Sequence, residues 1–281
     1  YWQSKRKLFA WKGLSNAVVN IDDAKGALLA SDLAGTEVHL WTVSMEQPQA
    51  RLRAHTIEIG IDHTTFTVTE TVSDTPGNTL SVQFNTALIG HFNVMNVLCV
   101  AAVLRCEGFS LQSIADACQQ HLLPVPGRME QIKSTKGPTV VVDYAHTPDA
   151  LSKVLRALKP VALANQGQLW CVFGCGGNRD SSKRALMAKA VEHYADHTMV
   201  TSDNPRDEDP MNIVQNIVRG FSVGTPYVIN TNRPNALWQC ITQAGPRDIV
   251  LIAGKGHEPY QEIKGKRMVY SDLALAQGIC R

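Results

Sequence analysis

The sequence predicts an α/β protein of two domains, the second built on a doubly wound parallel sheet. Beyond residue 125, short and nearly continuous apolar runs alternate with amphipathic stretches, the pattern of parallel strands covered by helices on both faces. Before that point, several segments alternate apolar and polar residues with period two, as in a half-buried antiparallel or mixed sheet. Between the two patterns, Leu122-Leu123-Pro124-Val125-Pro126-Gly127 stops a helix and stiffens a short connector. The expected domains are residues 1–124 and 125–281.

The composition narrows the partners. A chain of 281 residues suits two domains, and its 44% hydrophobic and 19% charged residues are ordinary for a soluble globular protein. A net charge of +2, without a basic run, argues against nucleic acid as a partner. No apolar run reaches the length of a membrane span, so neither a membrane partner nor a secretory leader is expected. Seven scattered cysteines read as reduced thiols of a cytoplasmic protein. Only Cys175, in a glycine-rich loop, stands near candidate chemistry, and it lacks an obvious base partner. The chain opens at Tyr1 already inside a helical stretch with no capping signal, which leads us to expect a fragment of a longer polypeptide.

The elements follow in order. A strand over Ala17–Asp23 and a helix over Ala24–Ala30 open the first domain. Strands over Glu37–Val43, Ala50–Ile59, Thr64–Val72 and Leu80–Thr86 have period-two patterns rich in β-branched residues, with Thr75-Pro76-Gly77-Asn78 as a turn. Helices Gly90–Gly108 and Leu111–His121 close it. In the second domain, strands Thr139–Tyr144, Leu169–Phe173, Thr198–Thr201, Tyr227–Ile229 and Ile249–Ile252 alternate with helices Pro148–Leu158, Ser182–Tyr194, Met211–Phe221 and Asn232–Gln243.

The polar motifs of this second domain collect at strand ends, where an open α/β sheet places its ligand loops. Thr201-Ser202-Asp203-Asn204-Pro205-Arg206-Asp207-Glu208-Asp209-Pro210 is the most informative. Pro205 stiffens the turn and keeps Asn204 out of the α region, so an amide and a guanidinium hold fixed relative positions. An Arg fork suits a carboxylate, and the loop has the makings of a reader of small zwitterions. The alternative is a solvated turn with Asp209 as N-cap and Pro210 at the first helical position. Gly174-Cys175-Gly176-Gly177-Asn178-Arg179 lacks the full dinucleotide spacing; its glycines allow close backbone approach and Arg179 adds a second cation. Gly254-Lys255-Gly256-His257-Glu258 resembles half a phosphate loop without the Ser or Thr that should follow the lysine. Glu258 suits a ligand ammonium, or is an ordinary exposed carboxylate. His193 and His197 straddle a helix end and a strand start, which is poor spacing for zinc, and no Gly-x-Ser-x-Gly elbow occurs. In the first domain, Asn93 and Asn96 share a face near a helix start, where two amides can read a purine edge or cap the helix. Arg128 lies just past the connector, placed to reach a phosphate.

Taken together, Gly90–Asn96, Gly127-Arg128-Met129-Glu130, Asp143–Asp149, Gly174–Asp180, Asp203–Arg206 and Gly254–Glu258 resemble the Mur ligases, the ATP-dependent amino-acid ligases of peptidoglycan synthesis. The resemblance covers essentially the whole chain and is similar in its motifs to the branch that adds meso-2,6-diaminopimelate. It implies the later part of a central ATP-binding α/β domain with an antiparallel flank, followed by a Rossmann-like doubly wound domain. It implies ATP and Mg²⁺ as cofactors, a UDP-N-acetylmuramoyl dipeptide and meso-diaminopimelate as substrates, and an acyl-phosphate route; a monomer is expected. By the same resemblance Asn93, Asn96, Arg128, Asp143 and His146 serve the nucleotide. Arg179, Asp203, Asn204, Arg206, Gly254 and Glu258 hold the amino acid. Lys5 resembles a lysine that becomes carbamylated and so turns into an anionic oxygen ligand for Mg²⁺ beside the γ-phosphate; otherwise it is a solvated residue beside Arg6 and Lys7. The Gly-Lys-Thr phosphate loop and the domain for the UDP group are absent from this sequence, so the chain alone is expected to be inactive. The rival readings are a folylpolyglutamate-synthetase-like ligase and a non-catalytic Rossmann-like binding module.

Overall fold

A computed structural model of the chain describes residues 2–72 and 78–281. The expected turn at Thr75-Pro76-Gly77 lies outside the described residues. Two compact units divide between Leu123 and Pro124, one residue before the expected boundary.

The first unit runs α1 (Trp2–Phe9), β1 (Asn16–Asn20), α2 (Ala24–Leu33), β2 (His39–Ser44), β3 (Leu52–Ile59), β4 (Thr64–Thr71), β5 (Thr79–Thr86), α3 (His91–Cys106) and α4 (Leu111–His121). Its sheet keeps this order, β1 to β3 parallel and β3 to β5 antiparallel. Strict burial alternation along β4 sends Phe66 and Val68 inward, where Phe66 stacks on Phe84 at 5.4 Å. Val94, Val97, Leu98, Ala101 and Ala102 of α3 cover them. Strand β1 ends earlier than expected. Asp23 leaves it to cap α2, accepting the amides of Lys25 and Gly26, and Asp22 accepts the Ser44 hydroxyl and the Met45 amide.

The second unit runs β6 (Glu130–Ile132), β7 (Thr139–Asp143), α5 (Pro148–Ala164), β8 (Leu169–Phe173), α6 (Ser182–Tyr194), β9 (His197–Val200), α7 (Pro210–Val218), β10 (Val228–Ile229), α8 (Arg233–Gln243), β11 (Ile249–Ala253), β12 (Tyr260–Ile263), β13 (Lys266–Val269) and α9 (Asp272–Ile279). The main sheet has the order β10-β9-β8-β11-β7-β6, with only β6 antiparallel. Because β11 inserts between β7 and β8, the carboxyl ends of β9, β8, β11 and β7 lie side by side. Their four following loops therefore converge. Helices α8 and α9 cover one sheet face; α5, α6 and α7 pack side by side along the other.

The sequence expectation stopped α5 at Leu158, ahead of Pro160, yet the helix continues to Ala164. Pro160 is exposed, while Leu155, Leu158, Val161 and Ala162 on the opposite face are buried. That packing outweighs the roughly 3 kcal/mol penalty of an interior proline. The hairpin β12–β13 and helix α9 were not anticipated. Lys264 and Gly265, both at positive φ, close the hairpin as a two-residue turn.

One ion pair sits deep under the converging loops. Arg233, fully buried at the start of α8, donates from Nε and Nη2 to the two oxygens of equally buried Asp272, at 2.8 and 2.7 Å. Its remaining N–H groups reach the carbonyls of Ser202 at 3.2 Å and Ala253 at 3.0 Å. Tyr270 donates its hydroxyl to Asp272 at 2.8 Å. Asp272→Asn would leave a buried guanidinium without its charge partner. We expect a loss of about 3–5 kcal/mol in the unfolding of the second unit, measured by denaturant titration. A loss below about 1 kcal/mol would show that the pair is not the anchor described here.

Candidate functional site

The four loops enclose a cavity of about 280 Å³. Of the residues expected to hold an amino acid, Arg179, Asp203, Asn204, Arg206, Gly254 and Glu258 all line it. His146, assigned by sequence to the nucleotide, lines the same cavity. Lys183, Tyr144 and Cys175 complete the part that carries chemistry. Lys183 was missed because, as the second residue of α6, it reads as a solvated lysine in a polar first turn. Its Nζ donates to the His146 carbonyl at 3.1 Å.

The loop from β9 is held by its own polar groups. Asn204 is 5% exposed, and its side-chain oxygen accepts Lys255 Nζ and the Glu262 amide, each at 2.9 Å. Its nitrogen donates to Glu258 Oε2 at 2.9 Å. The amide thus locks two loops together while Asn204 also lines the cavity. Arg206 takes positive φ, and its backbone bridges to the hairpin through Glu262 and Lys264. Its Nη1 donates to the Gly177 carbonyl at 2.8 Å, and Nε lies 3.6 Å from Glu262. Those contacts fix the guanidinium and leave Nη2 for the cavity. Arg179, exposed at the glycine loop, has no hydrogen-bond or ion-pair partner among the described residues, so its whole fork can turn to an anion. Asp209 caps α7 through the amides of Met211 and Asn212, with Pro210 at the first position, as the sequence implies.

Close backbone approach explains two glycines. A Cβ on Gly177 would sit 1.9 Å from the Pro205 carbonyl oxygen. At Gly254, with φ +118, it would meet Asp203 Oδ2 at 2.8 Å. Arg184, 2% exposed, braces the same two loops with paired 2.9 Å bonds to Glu208 and one of 3.3 Å to the Gly176 carbonyl. The Arg184 hydrogen bonds hold the Glu208 carboxyl below its ordinary range. Asn178 donates its backbone amide to Glu208 and its side-chain amide to Asp207.

Asp143 closes strand β7. It is buried, and its oxygens accept the amides of Met129 at 2.8 Å and Ala145 at 2.7 Å. Burial pushes its carboxyl up, against the opposing pull of those amides and of Arg128 and His146. Its oxygens accept one backbone amide each, so it shapes the turn that carries Arg128. Arg128 itself is exposed, its guanidinium carbon 4.8 Å from the Tyr144 ring centroid.

In the first unit, Asn93 does not cap α3. It donates to the Ile89 carbonyl at 2.9 Å, and Asn96 donates to Asn93 at 3.3 Å. This chain leaves the Asn96 oxygen and one N–H on each amide available for a purine edge. Lys5 is exposed on α1, whose Trp2 and Phe9 pack against Ala17, Val19, Leu29 and Leu33. Among the described residues no group of three or more His, Cys, Asp and Glu side chains could hold a metal. No helix is long and apolar enough to cross a membrane.

Known proteins share this arrangement. The family model described as Mur ligase middle domain matches residues 1–104, and that described as Mur ligase, glutamate ligase domain, matches residues 127–256. A UDP-N-acetylmuramoyl-L-alanyl-D-glutamate–2,6-diaminopimelate ligase of Acidovorax sp. is 49% identical over 99% of this chain. A protein of the same description from Chromobacterium violaceum is 41% identical over 99%. The chain spans about half the length of these relatives, 54% of each. A solved structure of a ligase so described superposes with TM-score 0.68 at 36% identity, covering 100% of this chain and 56% of that one. A folylpolyglutamate synthase of Thermotoga maritima, 16% identical with TM-score 0.58 over 83% of this chain and 49% of its own, shares the fold.

The one thiol in the cavity is inert. Burial, with the charge of Asp203 second, pushes Cys175 up to about 12 from 9.0, and its Sγ lies 3.5 Å from Met187 Sδ. The unfolded thiol ionises first as pH rises, so its contribution to stability is complete below about pH 9 and lost as pH climbs toward about 12, at about 1.4 kcal/mol per pH unit. Cys175→Ala should therefore flatten the alkaline decline of the unfolding midpoint. Native protein should resist maleimide at neutral pH, and rapid native labelling of Cys175 would refute its burial.

Proposed function

The chain belongs to the Mur ligase family, and from that premise we propose that it is the amino-acid-selecting portion of an ATP-dependent ligase that adds meso-2,6-diaminopimelate to UDP-N-acetylmuramoyl-L-alanyl-D-glutamate in the cytoplasm. The observation that carries this reading is the meeting, in one cavity, of the guanidinium groups of Arg179 and Arg206 with the carboxylates of Asp203 and Glu258. A diamino diacid presents matching ammonium and carboxylate groups, and a planar fork on a carboxylate fixes orientation as well as charge. Lysine lacks the second carboxylate and would leave one guanidinium without a partner, which supports selection of diaminopimelate over lysine.

In the proposed reaction, ATP activates the dipeptide carboxylate as an acyl-phosphate and the amine of diaminopimelate attacks it. This chain's share is positioning. Arg179 and Arg206 hold carboxylate, Glu258 and Asp203 hold ammonium, and the rigid loops present the other amine for attack. Asn93 and Asn96 fit an adenine edge by their remaining donor and acceptor groups, and exposed Arg128 suits a phosphate. Among the described residues no group of three or more His, Cys, Asp and Glu side chains offers Mg²⁺ a site, and carbamylation of Lys5 would add an anionic oxygen ligand on α1. No step is therefore assigned to a metal.

Titration calorimetry of the chain with meso-diaminopimelate, lysine and NAD tests the reading. Diaminopimelate should bind best, and preferential NAD binding would replace the ligase reading with that of a dinucleotide module. In the full-length enzyme, Arg206→Ala should weaken diaminopimelate binding by roughly 10- to 100-fold, as loss of a charge-assisted contact does, while leaving ATP binding nearly unchanged. Equal losses of both ligands would remove Arg206 from the amino-acid site.

A further inference from the structure

The charged groups around the cavity differ in how far the protein itself engages them. Behind it, Arg233 is matched by Asp272 and Arg184 by Glu208, while wholly buried Lys255 is held by Asn204, Glu258 and Asp203. On its wall, Arg206 keeps Nη2 free, and Glu258 receives Asn204 and Lys255 on Oε2 alone. Lys183 shares that wall, half-buried, and its one described bond is the 3.1 Å donation from Nζ to the His146 carbonyl. An ammonium carries three donors, so two remain for a ligand. Asp180, the carboxylate just ahead of it in sequence, is engaged instead by the amide and hydroxyl of Ser182.

The position of Lys183 in α6 is unfavourable for a cation. It is the second residue of a 13-residue helix that has no acidic residue in its first turn and no side-chain bond from its Ser181 cap. The amino end of a helix carries positive potential, so a positive charge there costs stability unless an anion offsets it. Arg184, the next residue, has Glu208 for that purpose. Lys183 and the helix end therefore face the cavity together, with the anion left for a ligand to supply. Topology fixes which part of the cavity this is. The strand ends stand in the order β9, β8, β11, β7, so the loops bearing Arg206 and His146 close opposite ends, about 14 Å apart at the usual strand spacing. Lys183 reaches the β7 end through His146. Arg206 lies at the β9 end, where a Cβ on Gly176 would sit 2.9 Å from its Nη1, and Arg179 stands between them on the β8 loop. A diamino diacid has a carboxylate at each end. We infer that Lys183 is a specificity-determining residue, which takes the ligand carboxylate remote from Arg206, beside the amine left to attack. The inference rests on the proposed amino-acid site and adds a contact for the ligand's second end.

The test uses the full-length enzyme as wild type, Lys183→Met and Lys183→Arg, titrated calorimetrically with meso-diaminopimelate and with each enantiomer of lysine. Each enantiomer keeps one amino-acid end of the diacid and lacks the carboxylate of the other. Lys183→Met should bind meso-diaminopimelate about tenfold more weakly, as loss of a charge-assisted contact does. It should bind at least one lysine enantiomer as wild type does, so the preference for the diacid shrinks. Lys183→Arg, which keeps the charge, should retain most of that preference. Removing a cation from the amino end of α6 should leave the unfolding midpoint of Lys183→Met within about 2 °C of wild type or above it. A loss shared equally by meso-diaminopimelate and both lysines would make Lys183 a mere tie for the His146 loop and overturn the inference. Unchanged diaminopimelate binding in Lys183→Met would do the same, and either result leaves the proposed substrate standing. A wild type that does not prefer diaminopimelate to lysine would overturn that substrate, and the role of Lys183 with it.

Discussion

The geometry of the cavity depends on one buried guanidinium. Arg233 accepts no compromise in position, because it is fully desolvated and every contact it makes is to a charged or carbonyl oxygen. Two of those oxygens belong to Ser202 and Ala253, the residues just ahead of Asp203 and Gly254. The ends of β9 and β11, separated in the sheet by β8, are therefore tied to one rigid fork. The charge on that fork demands Asp272, which fixes the start of α9, where Ser271 caps the helix through the Ala274 amide. Tyr270 completes the carboxylate's shell, and the segment between hairpin and helix has little freedom left.

From this anchor the polar groups spread outward in tiers. Gln261 of β12 donates to the Asp203 carbonyl and the Ser202 hydroxyl, and Lys255 gathers Asp203, Asn204 and Glu258. On the other side, the glycine loop can lie directly against the β9 loop only because Gly174 and Gly177 lack side chains where the Thr201 and Pro205 carbonyls approach. Arg184 then clamps the two from beneath through Glu208. Most of the motif's polar atoms are thus spent on one another. What is left to face the cavity is small and well defined: Arg179, one nitrogen of Arg206, one oxygen of Glu258, Asp203 and Lys183.

Much of this was legible in the sequence. Apolar runs such as Ile249–Ala253 can only be buried strands, and parallel strands bring their following loops to one end, so the co-location of four motifs followed from pattern alone. Arg179, Asp203, Arg206 and Glu258, which face the cavity, were legible for the same reason, whereas Lys183 was not. The supporting cations were not. Arg233, opening a helix after a good Asn232 cap, has every mark of a surface residue, and Lys255 between glycines imitates a phosphate loop. Periodicity carries no signal for a charge whose partner lies 39 positions away, as Asp272 does from Arg233. Nor does the sequence show that the strand-end carboxylate of Asp143 accepts the amides of Met129 and Ala145. Pro160 concealed six residues of α5 by a local rule that packing overrode.

Three buried cations under one cavity would be a poor way to stabilise a domain. A paired charge in a protein interior often contributes no more than a well-packed apolar group of similar size. An apolar group could fill the same volume, but it could not hold the Ser202 and Ala253 carbonyls at a set separation, nor join Asn204 and Glu258 at one point. Each of the three cations joins two or more loops: Arg184 the β8 and β9 loops, Arg233 the β9 and β11 ends, Lys255 the β9 and β11 loops. Loops are otherwise the least constrained parts of an α/β fold. A ligand recognised by a few charge-assisted contacts gains from having them fixed in advance, since ordering them on binding would cost affinity. The cations therefore act on the precision of the loops more than on the stability of the sheet. They explain how so small a set of exposed groups can be held in fixed positions around the cavity.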